Sequence, residues 1–354
     1  MANPLYAWAY VDPFHSIFIG VTTTVSLFSN SLLLFIIYTT ATDHIGSYRY
    51  LLAFFALCDI TTTVGHAALQ PQFQYVHMTE SGFYFFPRRA GIIVFGVPVD
   101  TIFCLMFIAT FYQTFLVLAF HFVYRYKIVT RGIGASCTNY WKSTQWIVCG
   151  VAVYIIYIAA YVMTVAIGMT PSEVTRFHIQ RIIPAEIMEI YNLNLSDPRS
   201  GFTIVELRKI DPLRHAEEWI VKSVVSFGIC VMLFAGTAAV IVFCIYKTNA
   251  AIKSAHNLLT PRTRRMHHQL FRALLIQTAV PCLFSYAPLS LILLTGGVTG
   301  ISLGAFGNVL FLTTAIFPSI DALFVLFFIV RFRIAVIRMF RLPLSTAGMG
   351  SSVE

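Results

Sequence analysis

The chain has 354 residues, of which 58% are hydrophobic and 11% charged, with a mean hydropathy of +0.76 and a formal net charge of +9. Soluble proteins are about a quarter charged, so this composition excludes a water-soluble fold: the apolar excess must face lipid. The cations lie in short segments between apolar runs, where they orient a membrane protein and do not form a nucleic-acid surface.

Seven apolar runs follow one another, at about 14–38, 48–69, 91–124, 144–168, 219–246, 269–295 and 301–330. Each reaches the roughly 20 residues that a helix needs to cross the hydrocarbon core. The expected fold class is therefore all-α, a seven-transmembrane helix bundle over residues 1–330 with a long outer loop at 169–218 and a tail at 331–354. No basic n-region precedes the first run, which reads as an uncleaved anchor and not a signal peptide. The third run ends in Tyr124-Arg125-Tyr126-Lys127, an aromatic and cationic cluster suited to the inner headgroup boundary. Neither an internal repeat nor a low-complexity segment is present. The seven cysteines (58, 104, 137, 149, 230, 244 and 282) avoid the long polar stretch and form no CxxC pair, so neither a disulfide framework nor a metal site is readable.

Charge sets the expected orientation. Fourteen Lys and Arg fall within residues 39–50, 125–143, 247–268 and 331–354, against Asp43 and Glu354 as the acids. On the opposite side, residues 70–90 hold only Arg88 and Arg89, and the loop 169–218 balances six cations with eight acids. The bias predicts the N-terminus outside and the C-terminus in the cytoplasm. The sequon Asn194-Leu195-Ser196 then lies outside, which makes Asn194 a candidate glycosylation site. In the tail, Arg331, Arg338 and Arg341 share one helical side with Phe332, Val336 and Met339 largely opposite, and only Arg333 breaks the pattern. Such a basic amphipathic segment suits the inner leaflet. Residues 345–354 are small and polar, and are expected to be disordered.

Ionisable residues at membrane depth are costly and default to functional hypotheses. Asp59 sits mid-run; it binds a cation, acts as a conformational switch, or is simply hydrogen-bonded to threonines or to Asn30. Asp100 lies near the outer end of the third run with Phe103 and Phe107 on its face. It forms either a ligand-pocket wall or an interfacial carboxylate facing water. Asp321 follows Pro318, which removes a backbone donor inside the seventh run, and the two together make a hinge candidate. Pro281 is a second kink candidate, with Gln277 one turn towards the cytoplasm. His66 and His121 have no neighbours at metal-ligand spacing and read as ordinary polar contacts.

Several stretches resemble the nematode chemoreceptors of the serpentine-receptor superfamily, particularly the Str and Srj type, on a G-protein-coupled-receptor plan. They are Gly46-Ser47-Tyr48-Arg49-Tyr50-Leu51-Leu52, Tyr124-Arg125-Tyr126, Gln269 through Pro281, Phe317-Pro318-Ser319-Ile320-Asp321-Ala322-Leu323 and Arg331-Phe332-Arg333. Three departures stand out. Ala322 replaces the usual proline, no acid precedes Arg125, and the second outer loop has no cysteine to staple to the third helix. The seventh run has no lysine, so a retinal Schiff base is excluded and no cofactor is expected.

The resemblance implies a plasma-membrane, odorant-type receptor, of sensory-neuron cilia, that binds a small external ligand, volatile or lipophilic, and activates a heterotrimeric G protein; it is not an enzyme. It also implies coupling residues at Tyr124, Arg125 and Tyr126. Arg262, Arg264 and Arg265 either rim the G-protein crevice or hold anionic membrane lipid. Asp59, Gln277, Pro281, Pro318 and Asp321 are then the conformational switch, and Asp100, Phe103, Phe107 and Tyr286 the pocket. The alternative class is a seven-span ligand-gated channel or transporter of inverted topology.

Overall fold

The computed structural model describes residues 14–39, 48–69, 75–78, 82–86, 91–132, 143–182, 185–190, 194–195, 197–210, 217–254, 261–292, 299, 301, 303–304 and 306–341. Arg88, Arg89, Ser196 and the final residues from 342 lie outside them, as do the side chains of His66, Arg262, Arg264, Arg265 and Arg331.

Among the described residues the chain forms α1 (Phe14–Thr39), α2 (Tyr48–Leu69), β1 (Tyr75–Met78), β2 (Gly82–Phe86), β3 (Ile93–Val94), β4 (Val97–Pro98), α3 (Val99–Gly132) and α4 (Ser143–Gly168). There follow α5 (Glu173–Ile182), α6 (Ala185–Ile190), β5 (Thr203–Glu206), β6 (Arg208–Ile210), β7 (Glu217–Trp219), α7 (Val221–Ser254) and α8 (Pro261–Pro281). A π-helical turn (Cys282–Tyr286) continues α8 into α9 (Ala287–Ile292); a 3-10 turn (Thr313–Ala315) joins α10 (Gly307–Leu312) to α11 (Ile316–Phe328); α12 (Val330–Arg341) ends the described chain. With each interrupted pair taken as one rod, the helices α1, α2, α3, α4, α7, α8–α9 and α10–α11 make seven. Five of the helices are long and apolar enough to cross a membrane.

α3 packs against α2, α4, α7 and α8, and α1 lies between α2 and α11. On α7 the buried residues Ser223, Ser226, Cys230, Thr237, Ile241, Cys244, Thr248 and Ile252 recur at spacings of three, four and seven, and most are small. A stripe of small residues lets helix backbones approach closely where lipid supplies no hydrophobic drive. The core beneath is aromatic: Phe107, Phe111, Phe115, Phe122, Phe271, Tyr286 and Phe317 form one cluster. A second cluster joins Leu33 and Ile36 of α1, Leu52 of α2, and Ala322, Val325 and Phe332 of α11 and α12.

The third apolar run is not one helix. Residues 91–98 fold as a hairpin, with Val94 paired to Val97 and positive φ at Phe95 (50°) and Gly96 (79°). Two successive left-handed residues make the tight turn that matches strand twist, and Gly96 supplies one without steric cost. The helix begins only after Pro98 and continues past Arg125 to Gly132, so Arg125 lies about two turns inside it. The stretch expected as a long polar loop is likewise structured. Its strand β5 joins β1 and β2 in an antiparallel sheet of order β1-β2-β5, in which Phe83 faces Val205 and Tyr84 faces Ile204. The sheet covers the end of the bundle where α3 begins, and β6 pairs with β7 beside it.

At the opposite end Ile329 takes an extended conformation (ψ 103°) and breaks the helix between α11 and α12. Phe332 of α12 is buried against the bundle while Arg333 and Arg338 are exposed, so this helix has one apolar and one basic side.

In the sheet, a β-carbon at Gly82 would overlap the Val205 carbonyl. Gly82→Ala is expected to break the β2–β5 pairing and destabilise the protein by about 1–3 kcal/mol, read as a lower Tm of the detergent-solubilised protein.

Candidate functional site

Three sites lie along the bundle axis, and each is built from residues on different rods.

The first is a cavity of about 340 Å³ beneath the sheet, near the lower end of the roughly 300–1,000 Å³ typical of ligand pockets. Its roof is Phe83 and Phe85 of β2 with Thr203 and Val205 of β5. Its walls are Phe107, Phe111 and Tyr112 of α3, Val165 of α4, and Phe227, Val231 and Phe234 of α7. Its floor is Tyr286, whose ring lies 4.8 Å from Phe115, 5.3 Å from Phe111 and 5.3 Å from Phe234. Among the described residues, none that lines it is charged. Tyr286 reaches this place from the π-helical turn that follows Pro281. A proline lacks the N–H that would bond the Gln277 carbonyl, and the widened turn absorbs that loss.

Of the expected pocket residues, Phe107 and Tyr286 line the cavity and Asp100 and Phe103 do not. Asp100 does not face water either: it is only 1% exposed, because the loop before β5 lies over it and the Gly201 N–H donates to its carboxylate at 3.2 Å. A β-carbon at Gly201 would strike the Thr101 backbone, so only glycine allows this approach. Asp100 thus ties the sheet to α3. Phe111 and Tyr112 were missed, although the four-residue spacing Phe103, Phe107, Phe111, Phe115 traces one side of α3. The roof residues carry no comparable signal, since two distant strands must pair before they meet.

The second site is polar and lies mid-bundle. Asp59 of α2 and Asp321 of α11 are both 0% exposed and close enough for their carboxylates to repel. Asp321 accepts one hydrogen bond, from Gln277 of α8 at 3.2 Å. Its other oxygen, and both oxygens of Asp59, have no partner among the described residues. The expected bonds from Asp59 to threonine or Asn30 do not form. Thr61 and Thr62 donate to the Cys58 carbonyl at 2.8 and 2.9 Å, and Asn30 donates to the carbonyls of Ser26 and Pro318. Two ionised carboxylates cannot occupy this space without a compensating positive charge. Beside them Pro318 follows the 3-10 turn, and Ser26 donates to its carbonyl at 2.9 Å.

The third site lies at the end away from the sheet. Arg125 is 5% exposed, with its guanidinium carbon 3.9 Å from the centre of the Tyr48 ring. Tyr48 also stacks on Tyr124 and bonds His121 through its hydroxyl at 3.1 Å. A tyrosine face therefore takes the position that an adjacent acid would hold. Nε and Nη2 of Arg125 have no acceptor among the described residues. Tyr126 points instead towards α7, its ring 6.1 Å from Phe243. Arg262, Arg264 and Arg265 lie in the first turns of α8. Asn194 is exposed in the loop at the sheet end.

In the polar site, Asp59→Asn keeps the shape and removes the repulsion, and is expected to raise the Tm. Gln277→Leu removes the donor to Asp321 and is expected to cost about 1–3 kcal/mol. Thermal unfolding of the two purified variants checks the opposite signs.

Comparison with known proteins gives a consistent result. Caenorhabditis elegans "Serpentine receptor class r-10" is 24% identical over 316 residues, covering 89% of this chain and 87% of that one. The C. elegans "G-protein coupled receptor str-33" is 23% identical over 325 residues, with coverage of 89% and 87%. Squid rhodopsin shares the fold, with a TM-score of 0.60 at 11% identity over 98% of this chain and 91% of that one. Residues 15–337 match the family described as Serpentine type 7TM GPCR chemoreceptor Str. The chain is thus a multi-pass membrane protein with a rhodopsin-like seven-helix fold, and it belongs to the Str family of serpentine chemoreceptors.

Proposed function

We propose that the protein is a chemosensory receptor of the plasma membrane, its N-terminus outside, which binds a small uncharged molecule in the cavity and activates a heterotrimeric G protein at the opposite end. One observation carries the proposal. The same helix, α3, lines the cavity with Phe107 and Phe111 and carries Arg125 about 20 Å further along. The names of the relatives support receptor coupling, and the kinship with nematode chemoreceptors supports a place in sensory cilia.

A ligand shifts a two-state equilibrium only through its differential affinity for the states. In this reading it presses on Tyr286, and the π-helical turn transmits the displacement down α8 to Gln277. Gln277 and Asp321 then part or tighten, and α8 moves against α11 about Pro281 and Pro318. Arg125 leaves the face of Tyr48 and offers its free N–H groups to carbonyl acceptors of the G protein, with Tyr124 and Tyr126 beside it. Arg262, Arg264 and Arg265 form the basic rim of that crevice and meet anionic lipid between encounters.

Two outcomes are expected. Arg125→Ala abolishes ligand-driven nucleotide exchange while surface expression stays near that of the unmodified receptor; full signalling by the variant would remove Arg125 from the mechanism. An epitope at the N-terminus is reached by antibody on intact cells, and glycosidase treatment removes sugar from Asn194. An epitope reached only after permeabilisation, with Asn194 bare, would invert the chain and end the proposal.

A further inference from the structure

The sheet that roofs the cavity is tightly closed. Tyr84, Phe85 and Phe86 of β2 and all four residues of β5 are buried, and Asp100 clamps the loop before β5 to α3. Of the roof residues that line the cavity, Phe85, Thr203 and Val205 are buried and Phe83 is half-buried, so little of the described roof opens to the aqueous side.

The side wall is different. Two residues that line the cavity are exposed on the outside of the bundle: Val231 of α7, at 45%, and Ser290 of α9. They lie on two rods that pack little against each other. α7 packs closely along α3 but scarcely touches α8, the π-helical turn or α9. Phe227, Val231 and Phe234 recur on α7 at i, i+4 and i+7 and form one jamb of the gap. Opposite, Leu283 and Leu291 are exposed, as apolar residues at a lipid boundary are. The weak seam follows from the backbone, since the π-helical turn after Pro281 interrupts the regular ridge that α7 would otherwise pack against.

We infer that Val231 and Ser290 flank a lateral portal, through which an uncharged lipophilic ligand enters the cavity from the bilayer and not from water. This rests on the reading of the cavity as the ligand site. It assigns the ligand a chemistry: a neutral, compact molecule that partitions into lipid first, since a charged one would neither cross the apolar seam nor find a counter-charge inside. Affinity measured against aqueous concentration then includes the ligand's partition into the membrane.

The test uses tritiated N-phenyl-1-naphthylamine, a neutral arylamine, with the full receptor in lipid nanodiscs and empty nanodiscs as the blank. Val231→Phe narrows the portal and is expected to slow both association and dissociation, association by about tenfold. Val231→Ala widens it and speeds both. A disulfide clamp on the roof, Tyr84→Cys with Ile204→Cys, joins two paired residues that do not line the cavity, and is expected to leave both rates unchanged. Unaltered rates in Val231→Phe, or a change in dissociation alone, would overturn the portal and make Val231 an ordinary wall. Slowing by the clamp would move entry to the roof. Absence of specific retention by the unmodified receptor would overturn the cavity as a ligand site and the portal with it.

Discussion

A proline inside a membrane helix frees backbone carbonyls where no water can reach them, and the protein must provide donors of its own. Pro318 removes the N–H that would bond the Thr314 carbonyl at the start of α11. Just beyond that break, Ser26 and Asn30 of α1 donate to the Pro318 carbonyl and Ser29 to the Ser319 carbonyl. The hydroxyl of Ser26 also meets Thr63 of α2 at 2.6 Å. Hydrogen bonds therefore join the first, second and last rods beside the break in α11. Such bonds matter in a membrane, because apolar side chains gain nothing from leaving lipid for one another.

Beside these satisfied carbonyls lie carboxylates that are not: among the described residues, three oxygens of Asp59 and Asp321 have no partner. In the proposed mechanism the distinction separates a fixed joint from a mobile one. α1 and α11 are held by neutral donors whose bonds do not depend on charge. Among the described residues, α8 reaches α11 in the polar site by the hydrogen bond of Gln277, against a carboxylate whose energy changes with every nearby charge.

How much was legible in the sequence follows from the range of the interactions. The bundle, its seven runs and the amphipathic tail depend on composition and local period, so they could be read directly. Phe107 and Tyr286 could be proposed for the pocket because aromatic residues near proline kinks or on one side of a helix are local patterns. Asp100 was misread because its partner, Gly201, is a hundred residues away and binds through a backbone N–H that no side-chain pattern reveals. The start of α3 was misplaced because residues 91–98 are apolar enough to span; only Gly91, Gly96 and Pro98 marked the hairpin. Arg125 has no acid next to it in sequence, and the structure supplies Tyr48 from another helix.

The clamp between Asp100 and Gly201 has a consequence for biosynthesis. The outer loop holds no cysteine, so the roof is fastened to α3 by hydrogen bonding and close packing alone. Its assembly asks nothing of an oxidising compartment or a disulfide isomerase, and thiol reductants leave it intact. A receptor closed in this way can mature in a reducing cell-free translation mixture supplied with lipid, where relatives of the rhodopsin plan that depend on a stapled loop would emerge with the roof unfastened.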